Sequence, residues 1–475
     1  MPNQDSYGSR RHHEEGRREH ELGLARSSWL ERAFPRTRLS LADYALCGVS
    51  LGICFFLFFH DDIVYLGQNS LNYLYGSPWE FYENAAKHQA WGATYPPSLY
   101  IIFAVWLYPW KLAGVIVSPH EFPWYLTYWL KFLTTIIYFL SAHTFYLIAK
   151  EHFSNDEAAK YATAAWFTAP LAIFSQFLLS QVDIFYVLLS LLGYLMIVRD
   201  RNLPASALFG IAMTFKFFPA FIFIPLLLLR EKNVARIAVN IFVFSLPTLI
   251  IYCVYWHSPF VTDPVRQALV DRIFSEAIVG EGGHIKIYLL PAAFMILCGV
   301  AYFRSATAEF RLQESAHVWL VASILPFLFI LWHSQWLILP VAAMVLTSVG
   351  RIKLKSFMLL DLVGMALFVA TMSYIVDAAI FRKEIFNVHF SNPVPMTELF
   401  LWFGDKSYNV FLTGFTGYLA LQIVLKCGMR DEVKFKDGFA SFDYGDLRWR
   451  FYGGLLLFLV PALLSVYRAS APHFE

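Results

Sequence analysis

LADYALCGVSLGICFFLFFHDDIVY, Leu41 to Tyr65, decides the fold class. Its apolar part, Leu41 to Phe59, matches the roughly 20 residues that a helix needs to cross a hydrocarbon core of about 30 Å. Asp61 and Asp62 therefore sit where the chain emerges. A carboxylate at that rim is partly desolvated, a condition that suits an acid to general-base work, although a hydrated loop start reads equally simply. The rest of the chain agrees with a membrane setting. Of 475 residues, 58% are hydrophobic, 18% aromatic and only 15% charged, and the mean hydropathy is +0.50, which excludes an ordinary soluble domain. The expected fold is an all-α, polytopic integral membrane protein with about 11–13 transmembrane helices. The net charge of +2 names no partner, and no nucleic-acid module is present. The five cysteines, Cys47, Cys54, Cys253, Cys298 and Cys427, fall in or beside apolar spans and suggest neither a disulfide framework nor a metal site.

Charge sets the expected topology. Residues 1–40, rich in Arg, His and Glu, lack a signal-peptide core and read as a disordered cytoplasmic tail. Arg26, Arg32, Arg36 and Arg38 precede the first span, so the positive-inside rule sends Asp61 and Asp62 to the far side. Basic clusters recur at Lys150–Lys160, Arg199–Asn202, Arg230–Arg236, Arg304–Arg311, Arg351–Lys355 and Lys426–Arg450. All are cytoplasmic only if Pro97–Val117, broken near Pro109, and Pro204–Leu229, broken around Lys216 and Pro219, are re-entrant hairpins or half-helix pairs. Full spans are then expected near 41–59, 124–149, 160–178, 183–198, 234–256, 287–303, 316–331, 335–349, 356–376, 408–427 and 451–468. The outer segments are 61–96, 180–183, 257–286 and 377–407. None carries an N-x-S/T sequon, which favours a bacterial inner membrane over an endoplasmic reticulum, with the site on the periplasmic or lumenal side.

Lys216 is the second informative residue. An ammonium in mid-hairpin costs roughly 3 kcal/mol on insertion scales unless it meets an anion or a polar cavity. It fits a lipid-borne phosphate, or an ion pair with an internal carboxylate such as Asp183, and both hold if the pair lines one cavity. The first outer loop joins the two acids to Tyr65, Tyr73, Tyr75, Trp79, Tyr82 and Trp91 and closes on TYPP, Thr94 to Pro97. Such aromatics anchor interfacial helices, and beside carboxylates they also stack on sugar rings. Pro96 and Pro97 hold Tyr95 in a defined place. WHSQW, Trp332 to Trp336, marks a tight outer turn that places His333 and Gln335 at the depth of Asp61, where His333 positions or protonates a reacting group or is simply hydrated. The 257–286 loop carries Arg266, Asp271, Arg272, Glu276, Glu281 and His284, with a helical-looking stretch before GEGG. It covers an acceptor, clamps its phosphate, or forms a plain surface helix.

In order and sidedness, DDIVY at 61–65, YPP at 95–97, SQVD at 180–183, KFFP at 216–219 and HSQW at 333–336 resemble the GT-C superfamily of integral-membrane glycosyltransferases. The likeness is to the polyprenol-phosphate-mannose-dependent mannosyltransferases of the mycobacterial phosphatidylinositol mannoside type. Ser180 departs from the glycine common in the superfamily before the Gln. The resemblance implies a GT-C-like catalytic core over 41–350, with further C-terminal helices over 351–475. It implies a polyprenyl-phosphate-linked sugar as donor, mannose or another hexose or pentose, and a glycolipid or glycan hydroxyl on the outer face as acceptor. The base it favours is Asp61, four residues before Tyr65, with Asp62 as the other candidate and His333 as a third catalytic residue. Lys216, Tyr95 and Gln181 would meet the donor phosphate and lipid. Tyr65, Asp183, Gln335, Trp336, Arg266, Arg272 and His284 would meet sugar or acceptor.

Attack in line with an anionic leaving group would invert the anomeric centre, with positive charge on the phosphate and a carboxylate on the acceptor hydroxyl. A monophosphate leaving group makes no metal obligatory, although Asp62 could hold a divalent cation. Two other classes fit the same features. A secondary transporter also uses re-entrant hairpins and embedded charge, but the charges here gather at one face and no repeat is visible. An outer-face ligase or polymerase would use a diphosphate-linked oligosaccharide instead.

Overall fold

The computed structural model describes residues 32–88, 93–116, 118, 122–262, 271–279, 286–304, 311–330, 332–349, 354–372, 407–428 and 442–470. The expected N-terminal tail up to residue 31, most of the outer segment 377–407, Arg266 and His284 lie outside the described residues. Among the described residues the fold is all-α apart from one pair of antiparallel strands. In chain order the principal helices begin with α1 (Leu41–Leu57), α2 (Asp61–Tyr75), α3 (Phe81–His88), α4 (Pro97–Leu112), α5 (Trp124–Phe153) and α6 (Asp156–Phe167). They continue with α7 (Ile184–Val198), α8 (Asn202–Met213), α9 (Phe218–Arg230) and α10 (Val234–Val254). After β1 (Ala277–Val279) and β2 (Lys286–Tyr288) come α11 (Leu289–Phe303), α12 (Arg311–Phe329), α13 (Ile338–Leu346), α14 (Leu354–Met372), α15 (Ser407–Gly428) and α16 (Tyr444–Ser470). Among the described residues, five helices are long and apolar enough to cross a membrane, and six shorter apolar helices of 10–17 residues accompany them.

Local chemistry explains the helix ends. Ser40 caps α1, and the Asp43 carboxylate accepts from the Ser40 backbone N–H at 2.7 Å, a reciprocal box that satisfies two orphan donors. Arg448 of α16 donates to the same carboxylate at 2.8 Å and to the Pro35 carbonyl at 2.8 Å, tying the last described helix to the first. Asn155 and Asn233 cap α6 and α10. Ion pairs Arg199–Glu151 at 2.9 Å and Arg230–Asp200 at 3.1 Å draw the basic helix ends of α5, α7 and α9 together.

The Arg230–Asp200 pair also shows that α8 and α9 leave from and return to one end of the bundle. At 1.5 Å per residue they are only about 18 and 20 Å long, too short to traverse a core of about 30 Å. The expected pair of half-helices is therefore what forms over 204–229, with Lys216 in the turn between Met213 and Phe218. Pro219 sits in the first turn of α9, where its missing N–H costs nothing.

Two expectations change. The segment 97–117 is not a hairpin broken near Pro109: α4 runs unbroken through Pro109 to Leu112. Its start meets the α8–α9 turn through Ser98 Oγ donating to Thr214 Oγ1 at 2.7 Å, and Lys111 Nζ near its end donates to the Leu74 carbonyl. α4 thus runs alongside α2, from the α8–α9 turn at its start to the end of α2. Proline is tolerated because it removes a single bond one turn from the helix end, while Trp106 stacked on Trp129 at 4.6 Å holds that turn against α5. The span expected at 160–178 is broken where α6 stops before Pro170, and a π turn follows over Phe174–Leu178. In the 257–286 loop the described residues hold a helical turn at Pro259–Thr262, a turn at Arg272–Phe274 and the antiparallel pair β1–β2, while most of the helical-looking stretch before GEGG lies outside the described residues. Ile278 and Ile287 pair across the two strands, a β-branched match suited to them.

The shared helix ends yield a labelling pattern. In a cysteine-free background, single cysteines within 150–160 and within 230–236 should react with an impermeant thiol reagent from one side, and cysteines at 271–276 from the other. Reaction of 230–236 from the side that labels 271–276 would make α8 and α9 a crossing pair.

Candidate active site

The site is built on the turn that follows the π turn. There Leu179 N–H reaches back to the Phe174 carbonyl at 3.0 Å, and Gln181 N–H to the Ser175 carbonyl at 3.2 Å. Widened turns of this kind aim side chains that a regular helix would not. Ser180 takes φ of +56°, in the left-handed region that favours glycine, and it is fully buried with no partner for its hydroxyl. This explains why a glycine suits the position. The start of the first outer segment is pinned to the same turn, because His60 N–H donates to the Leu179 carbonyl at 3.2 Å. From α5, buried Lys131 donates to the Phe58 carbonyl at 2.5 Å and to the Phe55 carbonyl, so it satisfies the orphan carbonyls at the end of α1 just before His60.

When neutral, His60 caps α2 by accepting the Asp62 N–H on Nδ1 at 3.2 Å; when protonated, the same nitrogen serves as donor to the Asp62 carboxylate instead. Asp61 and Asp62 are then successive first-turn residues, about 100° apart around the axis, so only one can face inward. That one is Asp62. Its Oδ2 accepts from Gln181 Nε2 at 3.3 Å, and its Oδ1 lies 3.4 Å from His60 Nδ1. Burial pushes the Asp62 carboxyl up, but the His60 hydrogen bond and charge, the Gln181 amide and the Lys216 cation outweigh it and hold the group below the usual range. His60 shows the converse: burial pulls it down, and the Asp62 contact with the Asp61 charge brings it above its ordinary value. Asp61 is exposed, as is Tyr65 one turn later on the same face. The sequence reading favoured Asp61 as base and put Tyr65 beside the sugar; the structure points both away from Gln181 and Lys216. Asp61 instead favours the positive N-terminus of α2.

Lys216 completes the cluster. Its ammonium donates to Asp183 Oδ1 at 2.5 Å and lies 4.8 Å from the Trp336 ring, 5.9 Å from Tyr186 and 6.0 Å from Tyr95. An isolated charge is thus replaced by an ion pair inside an aromatic cage, the arrangement that makes a buried cation tolerable. Tyr95 is fixed by its backbone: Tyr82 Oη donates to its carbonyl at 2.8 Å, and its N–H donates to Tyr100 Oη at 3.1 Å. Four buried polar atoms in this neighbourhood lack a hydrogen-bond partner: Asp183 Oδ2, Gln181 Oε1, Tyr186 Oη and Ser180 Oγ. Such groups cost free energy unless something fills the space beside them.

His333 stands at the mouth, its ring 4.8 Å from Trp336 and its Nε2 3.2 Å from Arg272 Nη1. Arginine only donates, so Nε2 accepts. Partial burial, then the Lys216 and Arg272 cations, push His333 down to about 4, which keeps the ring neutral near pH 7 and unsuited to protonating anything there. Gln335 is buried but turned to its own chain, with Oε1 accepting from Ser334 at 3.4 Å and its carbonyl from Ser175 at 3.0 Å. Among the described residues no three His, Cys, Asp or Glu side chains gather as a metal site would require. Asp62 and Asp183 are the carboxylates of the cleft. The structure thus joins Asp62, Tyr95, Gln181, Asp183, Lys216, Arg272, His333 and Trp336, and leaves Asp61, Tyr65 and the Gln335 side chain aside.

Three contributors escaped the sequence reading. His60 was visible beside the acids, and its Asn/Asp-like capping of α2 was the available signal. Tyr186 follows Asp183 by three residues, which puts both on one helical face. Lys131 is a lone charge within an apolar span, a feature that flags an internal partner.

Two outcomes follow from this geometry. Ser180→Gly should raise stability by about 1 kcal/mol, through relief of left-handed strain and loss of an unpartnered hydroxyl, and Ser180→Val should lower it by at least as much; thermal unfolding in detergent measures both. His60 is raised above 6.5 and Asp62 lowered below 3.8, so their mutual stabilisation is present between those unfolded-state values. It is lost as pH rises through the folded His60 value and as pH falls through the folded Asp62 value. The melting temperature of the wild type should therefore exceed that of His60→Asn, which keeps a capping acceptor, most near about pH 5 and least above about pH 8. A pH-independent difference would contradict the pairing.

Comparison with known proteins bears on what this cleft serves. The crystal structure of ArnT from Cupriavidus metallidurans bound to undecaprenyl phosphate is similar, with a TM-score of 0.45 and 13% identity over 90% of this chain and 79% of that one. No curated protein sequence matches the chain. The model of glycosyltransferase family 87 matches residues 94–350, more than half of the chain. That stretch holds Tyr95, the SQVD turn, Lys216 and the HSQW turn, and begins beyond α3, so that Asp62 lies outside it. The chain belongs to glycosyltransferase family 87, a family of GT-C type, and is a multi-pass membrane glycosyltransferase.

Proposed function

We propose that this glycosyltransferase inverts the anomeric centre of a sugar as it moves it from a polyprenyl-phosphate-linked donor to a hydroxyl of a glycolipid or glycan. The transferred sugar is mannose or another hexose or pentose, and the reaction faces the periplasm or lumen. One observation carries the reading: a low-lying carboxylate, Asp62, and a buried ammonium, Lys216, line the same cleft, joined through Gln181 and Asp183. A glycosyl phosphate needs that pair of charges. Asp62 takes the proton of the acceptor hydroxyl as its oxygen bonds to C1. The C1–O bond to phosphate breaks with its electron pair on the phosphate oxygen, and Lys216 balances the charge that develops there. Tyr95 and Trp336 flank the ammonium and supply ring faces for the isoprenoid or sugar. Arg272, held on His333, offers a second donor at the mouth of the cleft. The undecaprenyl phosphate held by ArnT, and the family's chemistry, support a lipid phosphate as the donor class.

Purified protein in nanodiscs, given a panel of radiolabelled polyprenyl-phosphate sugars, should transfer one of them to a membrane glycolipid fraction. Asp62→Asn should lower turnover by about 10²- to 10⁴-fold, whereas Asp61→Asn should keep most of it. Full loss in Asp61→Asn with an active Asp62→Asn would hand the base back to Asp61. Transfer only from diphosphate-linked oligosaccharides would assign the cleft to a ligase.

A further inference from the structure

The Lys216–Asp183 pair presents a conflict for a site that must take a phosphate. The ammonium already has an anion at 2.5 Å, and its remaining neighbours are the ring faces of Trp336, Tyr186 and Tyr95. An ammonium has three donors, so a lipid phosphate either shares it with Asp183, which sets two buried anions side by side, or draws it away from Asp183. Asp183 is 2% exposed, so once deserted it would be a buried carboxylate needing donors. Its second oxygen and the Gln181 carbonyl oxygen already lack hydrogen-bond partners. Both are acceptors, and Gln181 gives one of its two amide N–H donors to Asp62. The ligand chemistry that satisfies such a set is one rich in hydroxyl donors, which a sugar has and a bare phosphate lacks.

We propose that Lys216 is shared by exchange: an incoming glycosyl phosphate takes the ammonium from Asp183, and the freed Asp183 with the Gln181 carbonyl oxygen binds hydroxyls of the transferred sugar. This rests on the polyprenyl-phosphate donor reading. The exchange supplies a means of product release. When the sugar has left on the acceptor, Asp183 has lost its hydroxyls and reclaims Lys216, and the spent polyprenyl phosphate loses its cation. The site thereby discriminates a loaded carrier from an empty one.

The probe is undecaprenyl phosphate without sugar, bound to the full chain in nanodiscs. In the wild type the phosphate competes with Asp183 for the ammonium. Asp183→Asn removes the competitor, so the Kd for undecaprenyl phosphate should fall by about 10-fold, while transfer from the sugar-bearing donor should drop. Asp183→Ser, which leaves room for water beside the ammonium, should show the same tightening and stands in if the Asn variant does not fold. Lys216→Gln should weaken binding, and adding Asp183→Asn to it should change nothing further. An unchanged or raised Kd in the Asp183 variants overturns the exchange while leaving the donor reading intact. Absence of any Lys216-dependent binding in the wild type would overturn both.

Discussion

A buried ammonium cannot stand alone. Lys216 lies where α8 and α9 turn back inside the bundle, and the structure around it is arranged to make that position tolerable. Asp183 supplies the opposite charge, and three aromatic faces replace part of the lost hydration. Removing either partner would strand the other charge in a low-dielectric setting, so the two segments are bound to one another more firmly than apolar packing alone requires. The half-helices are short because their turn has to stop at this depth.

The same demand reaches outward through the backbone. Asp183 is presented by a turn that is widened before it and left-handed at Ser180, and that turn also receives the His60 N–H. Lys131 ties off the end of α1 from the side. The first outer helix therefore starts at a fixed point, and the choice between two neighbouring acids is made by the 100° step of its first turn. Asp62 faces inward to Gln181 and His60. Asp61 is left with the helix dipole.

The electrostatics of the cluster match the proposed transfer from an anionic carrier. A carboxylate held ionised by His60 and Lys216 stands near a histidine held neutral by partial burial and two cations, and that histidine accepts a hydrogen bond from Arg272. The cluster draws on α2, α4, the π turn, α7, the α8–α9 turn and the HSQW turn, so no single segment contains the chemistry. Membership of family 87 agrees with that dispersion, since the match spans residues 94–350 rather than a short motif.

The sequence by itself determined the class. Apolar runs of spanning length, basic clusters that share a side, and a lysine among apolar residues each carry a free-energy cost large enough to be read locally. For that reason the membrane fold, the α8–α9 half-helices and an internal carboxylate partner for Lys216 were legible. What only the tertiary structure decided were matters of direction and pairing. Pro109 does not break α4, because Trp106 and Trp129 hold its last turn from another helix. Tyr65 and Asp61 turn away together, because the His60 cap sets the phase of α2. Whether Lys216 meets a carboxylate is settled by a residue 33 positions away, and such a contact depends on how helices pack rather than on any spacing within one of them.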